Sequence, residues 1–173
     1  MSINFELTKT LGTAKAGKGG EYFTPGHNFR FVIEKCEWKK ARSGNEFVII
    51  DCQILESDCP KQGAGRKPCY MINMSRDTGA GNLADFLRFA LSRFAKLSED
   101  VDIDPNDDEY WKDVLDDKAT LISVLEEEQM LVGTDLYLYT KPIKTKAGGD
   151  FTIHQFSLEP TTGKVGATAD DNN

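Results

Sequence analysis

The sequence predicts a mainly β domain of the α+β class, with its helices between two groups of strands. Two long apolar runs, each followed by a short polar segment with glycine and a second apolar run, are typical of β-hairpins. Between these hairpins, apolar residues recur at helical spacing. A chain of 173 residues with 39% hydrophobic composition is sufficient for one globular domain with its own core.

The first predicted hairpin joins a strand over Phe29 to Trp38 to a second strand over Phe47 to Leu55, through the basic turn Lys39 to Asn45. Both strands are rich in β-branched and aromatic residues, as strands usually are. Alternate residues of a strand share one face. On the second strand the apolar face, which we expect in the core, consists of Val48, Ile50, Cys52 and Ile54.

A loop, a third strand and a helix follow the first hairpin. The loop, Asp58 to Pro68, is punctuated by glycine and proline, and Cys69 to Met74 is the predicted strand. Asn82 is the expected N-cap of the helix, with Asp85 three residues later. The apolar stripe of the helix recurs at i, i+3, i+4 and i+7 and comprises Leu83, Phe86, Leu87, Ala90, Leu91, Phe94 and Leu97.

An acidic insertion and a second hairpin complete the predicted order. Short helices are expected around Asp108 to Leu115 and Ala119 to Glu127, with acids in their first turns. The second hairpin runs through Leu136 to Tyr139, a basic tip, and Phe151 to Leu158. Because alternate residues share a face, the leucines of the first strand are expected to point inward and both tyrosines outward.

Composition sets the predicted domain boundaries. Residues 1–25 are rich in Gly, Lys and Thr and end next to the Pro25-Gly26 turn signal, which predicts a flexible N-terminal arm. The folded domain is expected over 26–160. Residues 161–173 have no apolar periodicity, which predicts a disordered tail. No apolar run approaches the roughly 20 residues that cross a bilayer, so we expect a protein of the cytoplasm with no membrane partner.

Charge is distributed unevenly along the chain, which carries a formal net charge of -7. Residues 1–75 contain 11 basic and 8 acidic groups, residues 76–140 contain 6 and 16, and residues 141–173 contain 4 and 4. A uniformly acidic protein would repel a polyanion. Here the middle block holds the excess acid, and the segments that form the hairpins are neutral or basic.

Cysteine spacing and motif searches exclude several kinds of chemistry. Cys36, Cys52, Cys59 and Cys69 form no C-x-x-C pair with histidine nearby, so reduced thiols are expected, with a Cys59–Cys69 disulfide as the alternative. Gly12 to Lys18 fits a phosphate-loop pattern, but Gly19 replaces the Ser or Thr that holds magnesium. We therefore expect no cofactor.

Metal-dependent and acid–base catalysis are also poorly supported. The acids from Asp100 to Asp108 resemble a calcium loop, but Pro105 stands where glycine is needed and Trp111 where the closing Glu belongs. The two histidines, His27 and His154, lack an evident catalytic partner in the sequence. The chain is expected not to be an enzyme, and a metal-dependent nuclease is the third of three hypotheses.

Basic residues beside strand aromatics form the strongest constellation. Aromatic faces stack unpaired bases for about 1 to 3 kcal/mol each, while Lys and Arg neutralise phosphates. The pattern predicts a surface for single-stranded nucleic acid. Its candidate residues are Trp38, Lys39, Lys40, Arg42 and Phe47 on the first hairpin, Lys61, Arg66 and Lys67 in the following loop, and Tyr137, Tyr139, Lys141, Lys144, Lys146 and Phe151 on the second hairpin.

Three strands, a helix and two further strands, in that order, are the arrangement of the OB-fold, a five-stranded barrel that binds oligonucleotides. From about Pro25 to Pro160 the chain resembles phage-encoded OB-fold single-stranded-DNA-binding proteins of replication and recombination gene clusters. The matching features are the Pro25-Gly26 turn, the Lys40 to Gly44 turn, the Leu83 to Leu97 helix, and Val132-Gly133 leading to the Thr145 to Gly148 turn.

The resemblance implies an OB barrel with an additional acidic helical insertion, which coats single-stranded DNA without sequence specificity during phage replication and recombination. It also implies an acidic tail that recruits partners or competes for the DNA groove. This chain ends Asp170-Asp171-Asn172-Asn173, without the terminal aromatic residue of bacterial-type tails. The alternative is an OB-fold interaction module that binds a replication or host factor through the acidic block.

Overall fold

A computed structural model describes residues 21–165, and the predicted phosphate-loop pattern and the acidic chain end lie outside these described residues. Three helices and one π-helical turn lie between strands four and five, so the prediction of a mainly β domain with its helices between two groups of strands is confirmed. The strands are β1 (Glu21–Tyr22), β2 (Asn28–Lys40), β3 (Glu46–Ser57), β4 (Pro68–Asn73), β5 (Asp135–Lys144) and β6 (Asp150–Ser157). The helices are α1 (Gly79–Glu99), α2 (Asp108–Val114) and α3 (Lys118–Ile122), and α3 continues into the π-helical turn Ser123–Glu127.

All six strands belong to one sheet, in the order β1-β4-β3-β2-β5-β6, which curls strongly into a half-barrel. The β1–β4 pair is parallel and the other pairs are antiparallel. Strand β2 is the centre of the sheet because it pairs with both β3 and β5. Its register with β3 shifts between Arg30 and Phe31 and again between Ile33 and Lys35. Such bulges increase local twist and help a sheet to curl.

The predicted inward faces of the strands are confirmed. Val48, Ile50, Cys52 and Ile54 of β3 are buried in the main core, and so are Leu136 and Leu138 of β5. The opposite alternation on β2 brings Phe29, Phe31 and Ile33 to the same core. All four cysteine thiols are buried and free. Alternation along the strands therefore accounts for most of the core.

The curled sheet closes through side chains where β4 approaches β6. The ring of Tyr70 on β4 lies 4.5 Å from the ring of His154 and 5.3 Å from that of Phe156, both on β6. Phe86 of α1 packs against the same group, 5.4 Å from Phe156 and 6.1 Å from Tyr70. Strands β4 and β6 share no backbone ladder among the described residues. We call these four residues the seam cluster.

Ordered structure is present before the predicted boundary at residue 26. Glu21 and Tyr22 form β1 beside β4, and Phe23 is buried in the core. Gln62, only 2% exposed, accepts a hydrogen bond from the Thr24 N–H and donates one to the Tyr22 carbonyl, each 2.8 Å long. The five predicted strands are thus joined by a sixth, formed within the segment that we predicted to be a flexible arm.

Helix α1 begins three residues before the predicted N-cap. Asn82 lies inside the first turn, where its N–H donates to the Thr78 carbonyl at 3.0 Å, so its prediction as N-cap is wrong. Gly79 allows this start because a Cβ there would lie 2.4 Å from the Asn73 carbonyl oxygen. The predicted stripe is buried from Leu83 to Ala90, but Leu97 is 54% exposed. None of the described helices is both long and apolar enough to cross a bilayer.

The acidic insertion covers the part of β2 that extends past β5. The Gln129 side chain accepts from the Cys36 N–H at 3.0 Å and donates to the Cys36 carbonyl at 2.6 Å. The Glu126 carboxylate accepts from the Trp38 N–H at 2.8 Å. These side chains satisfy backbone groups that a neighbouring strand would otherwise pair. The insertion therefore stabilises the sheet.

Replacing Gln129 tests this edge cap. The substitution Gln129→Ala removes both hydrogen bonds to Cys36, and we expect the free energy of unfolding to fall by about 1 to 3 kcal/mol. Glu127→Ala, an exposed neighbour, serves as control and should change it by less than about 0.5 kcal/mol. Urea denaturation measures both values, and equal stability of the two variants would contradict a role for the amide.

The seam cluster also predicts a pH dependence of stability. Burial lowers the pKa of His154 to about 4 from its ordinary 6.5, so the folded chain binds a proton less readily than the unfolded chain. Stability should therefore fall as the pH drops from 6.5 toward 4, by on the order of 2 to 3 kcal/mol from this residue. Urea midpoints of the protein and of His154→Gln, which cannot titrate, should diverge over that range. Parallel pH curves would show that His154 titrates normally.

Candidate nucleic-acid interface

The two basic tips leave opposite ends of β2. The Ala41 to Asn45 turn follows the carboxyl end of β2, and the Ala41 N–H donates to the Asn45 carbonyl at 2.7 Å. Strand β5 aligns Tyr139 with Asn28, at the start of β2, and then continues past it toward the Thr145–Gly149 turn. In each turn a glycine with positive φ, Gly44 or Gly148, provides the left-handed conformation. The second tip therefore projects beyond the sheet.

The outer face of β2, β3 and β4 is apolar, with a small group of charged side chains that pair with one another. Phe47 packs there, half-buried, with Ile49 and Met71. The Glu37 carboxylate pairs with the Lys39 ammonium at 3.1 Å and also with Lys35. Burial and the neighbouring Glu37 raise the pKa of the Asp51 carboxyl on this face. Lys39 is thus already neutralised by a carboxylate in the same strand.

Two of the three predicted loop cations also have carboxylate partners. Arg66 makes two hydrogen bonds to Glu21, of 2.8 and 2.9 Å, which lower the pKa of the Glu21 carboxyl. The Lys67 ammonium lies 3.5 Å from Glu34. Lys61 is exposed and pairs with no carboxylate of the described residues. Through these ion pairs the loop contacts β1 at Glu21 and β2 at Glu34.

The Trp38 ring is covered by its own protein. It packs against the main core, and the Lys118 ammonium lies 5.4 Å from its centroid. Lys118 is held there by Glu46, at 3.2 Å. The indole N–H is buried and has no hydrogen-bond partner among the described residues. A base could stack on Trp38 only after Lys118 moves away.

Tyr139 is covered in a different way, by residues 160–164, which we call the strap. The Asn28 side chain forms two hydrogen bonds with the Gly163 backbone, of 2.9 and 3.0 Å. The Tyr139 hydroxyl donates to the Lys164 carbonyl at 3.0 Å, and the Thr161 hydroxyl donates to the Leu138 carbonyl at 3.2 Å. The strap, which lies where the disordered tail was predicted to begin, is therefore ordered.

The outer face of the β5–β6 hairpin remains accessible. Lys141 aligns with Ile153 and Ile143 with Phe151, so these four residues share one face. Phe151 is 46% exposed and Ile153 is 36% exposed, so both apolar side chains are accessible from solvent. Tyr137, on the same face, is half-buried beneath Arg30, whose guanidinium carbon lies 5.7 Å from the ring centroid.

The lysines of the β5–β6 hairpin are not neutralised by carboxylates of the described residues. Within residues 21–165, no carboxylate lies within ion-pair distance of Lys141, Lys144 or Lys146. At the other tip, Lys40 and Arg42 are exposed. The structure thus pairs three of the predicted cations, Lys39, Arg66 and Lys67, with carboxylates, whereas the lysines of the second hairpin have no such partner among the described residues.

The acidic stretch after α1 is built of ion pairs and turns. Asp100 and Asp102 both contact the Lys96 ammonium, at 2.8 and 3.1 Å, and Asp108 contacts Arg88 at 2.6 Å. The part of the chain that the structure describes contains no group of three or more His, Cys, Asp or Glu side chains that could hold a metal ion. The His27 ring pairs with Asp58 at 3.2 Å.

Three residues beside the predicted site were missed by sequence reasoning. Ile153 could have been found from alternation, because it follows Phe151 by two positions on β6. Pro142 and Pro25 gave no such signal. Pro142 belongs to β5 itself, and Pro25 lies beside that strand because the Gly26 N–H donates to the Thr140 carbonyl, at 2.6 Å, a contact between distant parts of the chain.

Comparison with known proteins adds no relative: no family model matches the chain, and a search of curated proteins gives no significant match.

Gly163 provides a test of the strap. A Cβ at this position would lie 2.1 Å from the Tyr139 ring, so Gly163→Ala should displace the strap and expose the tyrosine. We expect nitration of Tyr139 by tetranitromethane, followed by peptide mass spectrometry, to become several-fold faster. Gly63→Ala is the control, since a Cβ there meets nothing within 4 Å. An unchanged nitration rate in Gly163→Ala would refute the strap as the cover of Tyr139.

Proposed function

We propose that the protein binds single-stranded DNA without sequence specificity, and that its sheet is an OB-type barrel. The strand pairing supports the fold: β2 pairs with β3 and β5, β3 with β4, and β5 with β6, with α1 between the third and fourth strands of that set. This is the order expected of a five-stranded, partly open OB barrel. The short β1 is an addition at the edge.

One observation carries the proposal: the β5–β6 hairpin combines exposed apolar side chains with lysines that have no described carboxylate partner. Phe151 provides a ring on which a base can stack, and Lys141, Lys144 and Lys146 can neutralise phosphates. The exposed cations of the other tip, Lys40 and Arg42, lie at the opposite end of β2 and are not part of this surface. Sequence-tolerant binding follows, since stacking and phosphate contacts do not read base edges.

The remaining predicted residues have secondary roles in this proposal. On the outer face of β2, β3 and β4 the lysines Lys35 and Lys39 are neutralised by Glu37, which leaves the second hairpin as the path for the DNA. Tyr137 stands beside the path, and Tyr139 joins it only when the strap is displaced. A place in phage replication or recombination, in the host cytoplasm, rests on the sequence resemblance alone.

Charge neutralisation of the hairpin tests the function. In Lys141→Gln/Lys144→Gln/Lys146→Gln, we expect weaker oligo-dT binding and a slope of log K against log salt that is smaller by about 2, because each phosphate contact contributes about 0.7 on single strands. Fluorescence anisotropy of a labelled oligonucleotide, titrated at several salt concentrations, measures the slope.

A matched triple variant controls for net charge. Lys35→Gln/Lys39→Gln/Lys67→Gln removes the same three charges from lysines that pair with carboxylates, and should leave the slope nearly unchanged. Equal loss in both triple variants would indicate a general charge effect. No binding of oligo-dT by the unmodified protein at low salt would reject the function itself.

A further inference from the structure

Strand β6 is an outer strand of the sheet, and one of its two edges pairs with no other strand of the described residues. The Thr140 N–H donates to the His27 carbonyl and the Thr140 carbonyl accepts from Gly26, so the Thr140 backbone points away from β6. Because His154 aligns with Thr140, its backbone points away from β5, and so does that of Thr152 two residues earlier. Both residues therefore direct their N–H and carbonyl groups to the free edge.

The opposite edge of the same hairpin is protected against strand pairing. Beyond Thr140, the β5 residues whose backbone points to that edge are Pro142 and Lys144. Proline has no N–H to donate, and lysine is a common means of blunting an edge strand. Strand β6 has the sequence DFTIHQFS, without proline or lysine, and its one carboxylate is at its first residue. One edge of the hairpin is thus closed to an added strand, and the other is open.

Apolar side chains flank the open edge on the outer face. Phe151 is 46% exposed and Ile153 is 36% exposed. A strand added to β6 would lie directly beside both. Pairs of aromatic and β-branched residues across an antiparallel ladder are among the favourable cross-strand pairs. An added strand that offers such residues would therefore cover apolar surface and satisfy the free backbone groups together.

Self-complementarity identifies that strand as β6 of a second copy. In an antiparallel pair about a twofold axis at Thr152, the two Thr152 residues exchange both backbone hydrogen bonds, since each directs its N–H and carbonyl to the edge. Phe151 then lies opposite Ile153 of the second copy, and Ile153 opposite its Phe151. Asp150 lies opposite His154, so no like charges meet. An isologous contact of this kind closes as a dimer.

We propose that the protein forms a twofold dimer through antiparallel pairing of β6 with β6 of a second copy, centred on Thr152. The inference goes beyond the proposed function and does not rest on it, because the edge is open without DNA. The two half-barrels share one continuous sheet, and the outer faces of both β5–β6 hairpins lie side by side. Since the ladder spans only Asp150 to His154, the dimer forms in a concentration-dependent way.

Charges placed at the twofold axis test the pairing. Thr152 borders a cleft of about 250 Å³, which leaves space for a longer side chain. Thr152→Lys and Thr152→Glu each place like charges opposite one another, so each variant alone should dimerise about tenfold more weakly than the unmodified protein. An equimolar mixture of the two should recover the dimer, with lysine opposite glutamate. That recovery would also show that both variants are folded.

Sedimentation equilibrium without DNA measures the association. The unmodified protein should pass from the mass of one chain toward that of two between about 1 and 100 μM. Lys61→Gln, which has the same net charge as Thr152→Glu, is the control and should dimerise like the unmodified protein.

Three results would overturn the dimer. They are a single chain throughout that concentration range, a dimer that Thr152→Lys leaves unchanged, and a mixture that associates no better than the separate variants. None of these measurements involves oligo-dT, so failure of the dimer leaves the DNA-binding proposal standing, and failure of DNA binding leaves the dimer standing.

Discussion

The fold depends on aromatic contacts across the seam between β4 and β6. A strongly curled sheet must bury its inner face, and here the last strands meet through Tyr70, His154 and Phe156 instead of through a described backbone ladder. Offset and edge-to-face ring pairs of this kind are worth about 0.5 to 1.5 kcal/mol beyond the area that they bury. Phe86 of α1 packs against the rings of Tyr70 and Phe156. The helix and the two strands are thus stabilised together.

Closure at the seam also positions the hairpin on which the proposed DNA surface lies. Because Phe156 and His154 fix β6 against β4, the part of the β5–β6 hairpin before them extends past the end of β2. Pro25, which leads into β2, is then brought against the free edge of β5. The exposed Phe151 and the unpaired lysines belong to this extension, whereas the cations nearer the sheet are neutralised by neighbouring carboxylates such as Glu37 and Glu34.

Local patterns predicted the strands and the main helix well. Alternation placed Val48 to Ile54 and the two β5 leucines in the core, because one buried face leaves little freedom of register. The seam could not be predicted, since Tyr70 and His154 are distant in the chain. Asn82 was wrong as an N-cap because the close approach of Gly79 to Asn73 allows an earlier helix start. Here tertiary packing overrides capping preference.

The candidate site was only partly predictable, for the same reason. Alternation correctly put Tyr139 on the outer face, but a strap from residues 160–164 covers it through contacts with Asn28. Trp38 is covered by Lys118, which belongs to the insertion. Local charge counts marked Arg66 as a phosphate ligand, although Glu21 neutralises it. Long-range partners decide which aromatics and cations stay accessible, and Phe151 and the lysines of the second hairpin are among those that do.

The most direct measurement of DNA binding by the second hairpin is a backbone amide NMR titration of the protein with oligo-dT. If the DNA lies on this surface, the amide shifts change most over residues 137–153, with smaller changes at the Ala41 to Asn45 turn. Changes concentrated instead on the outer face of β3 and β4, around Ile49 and Met71, would contradict it.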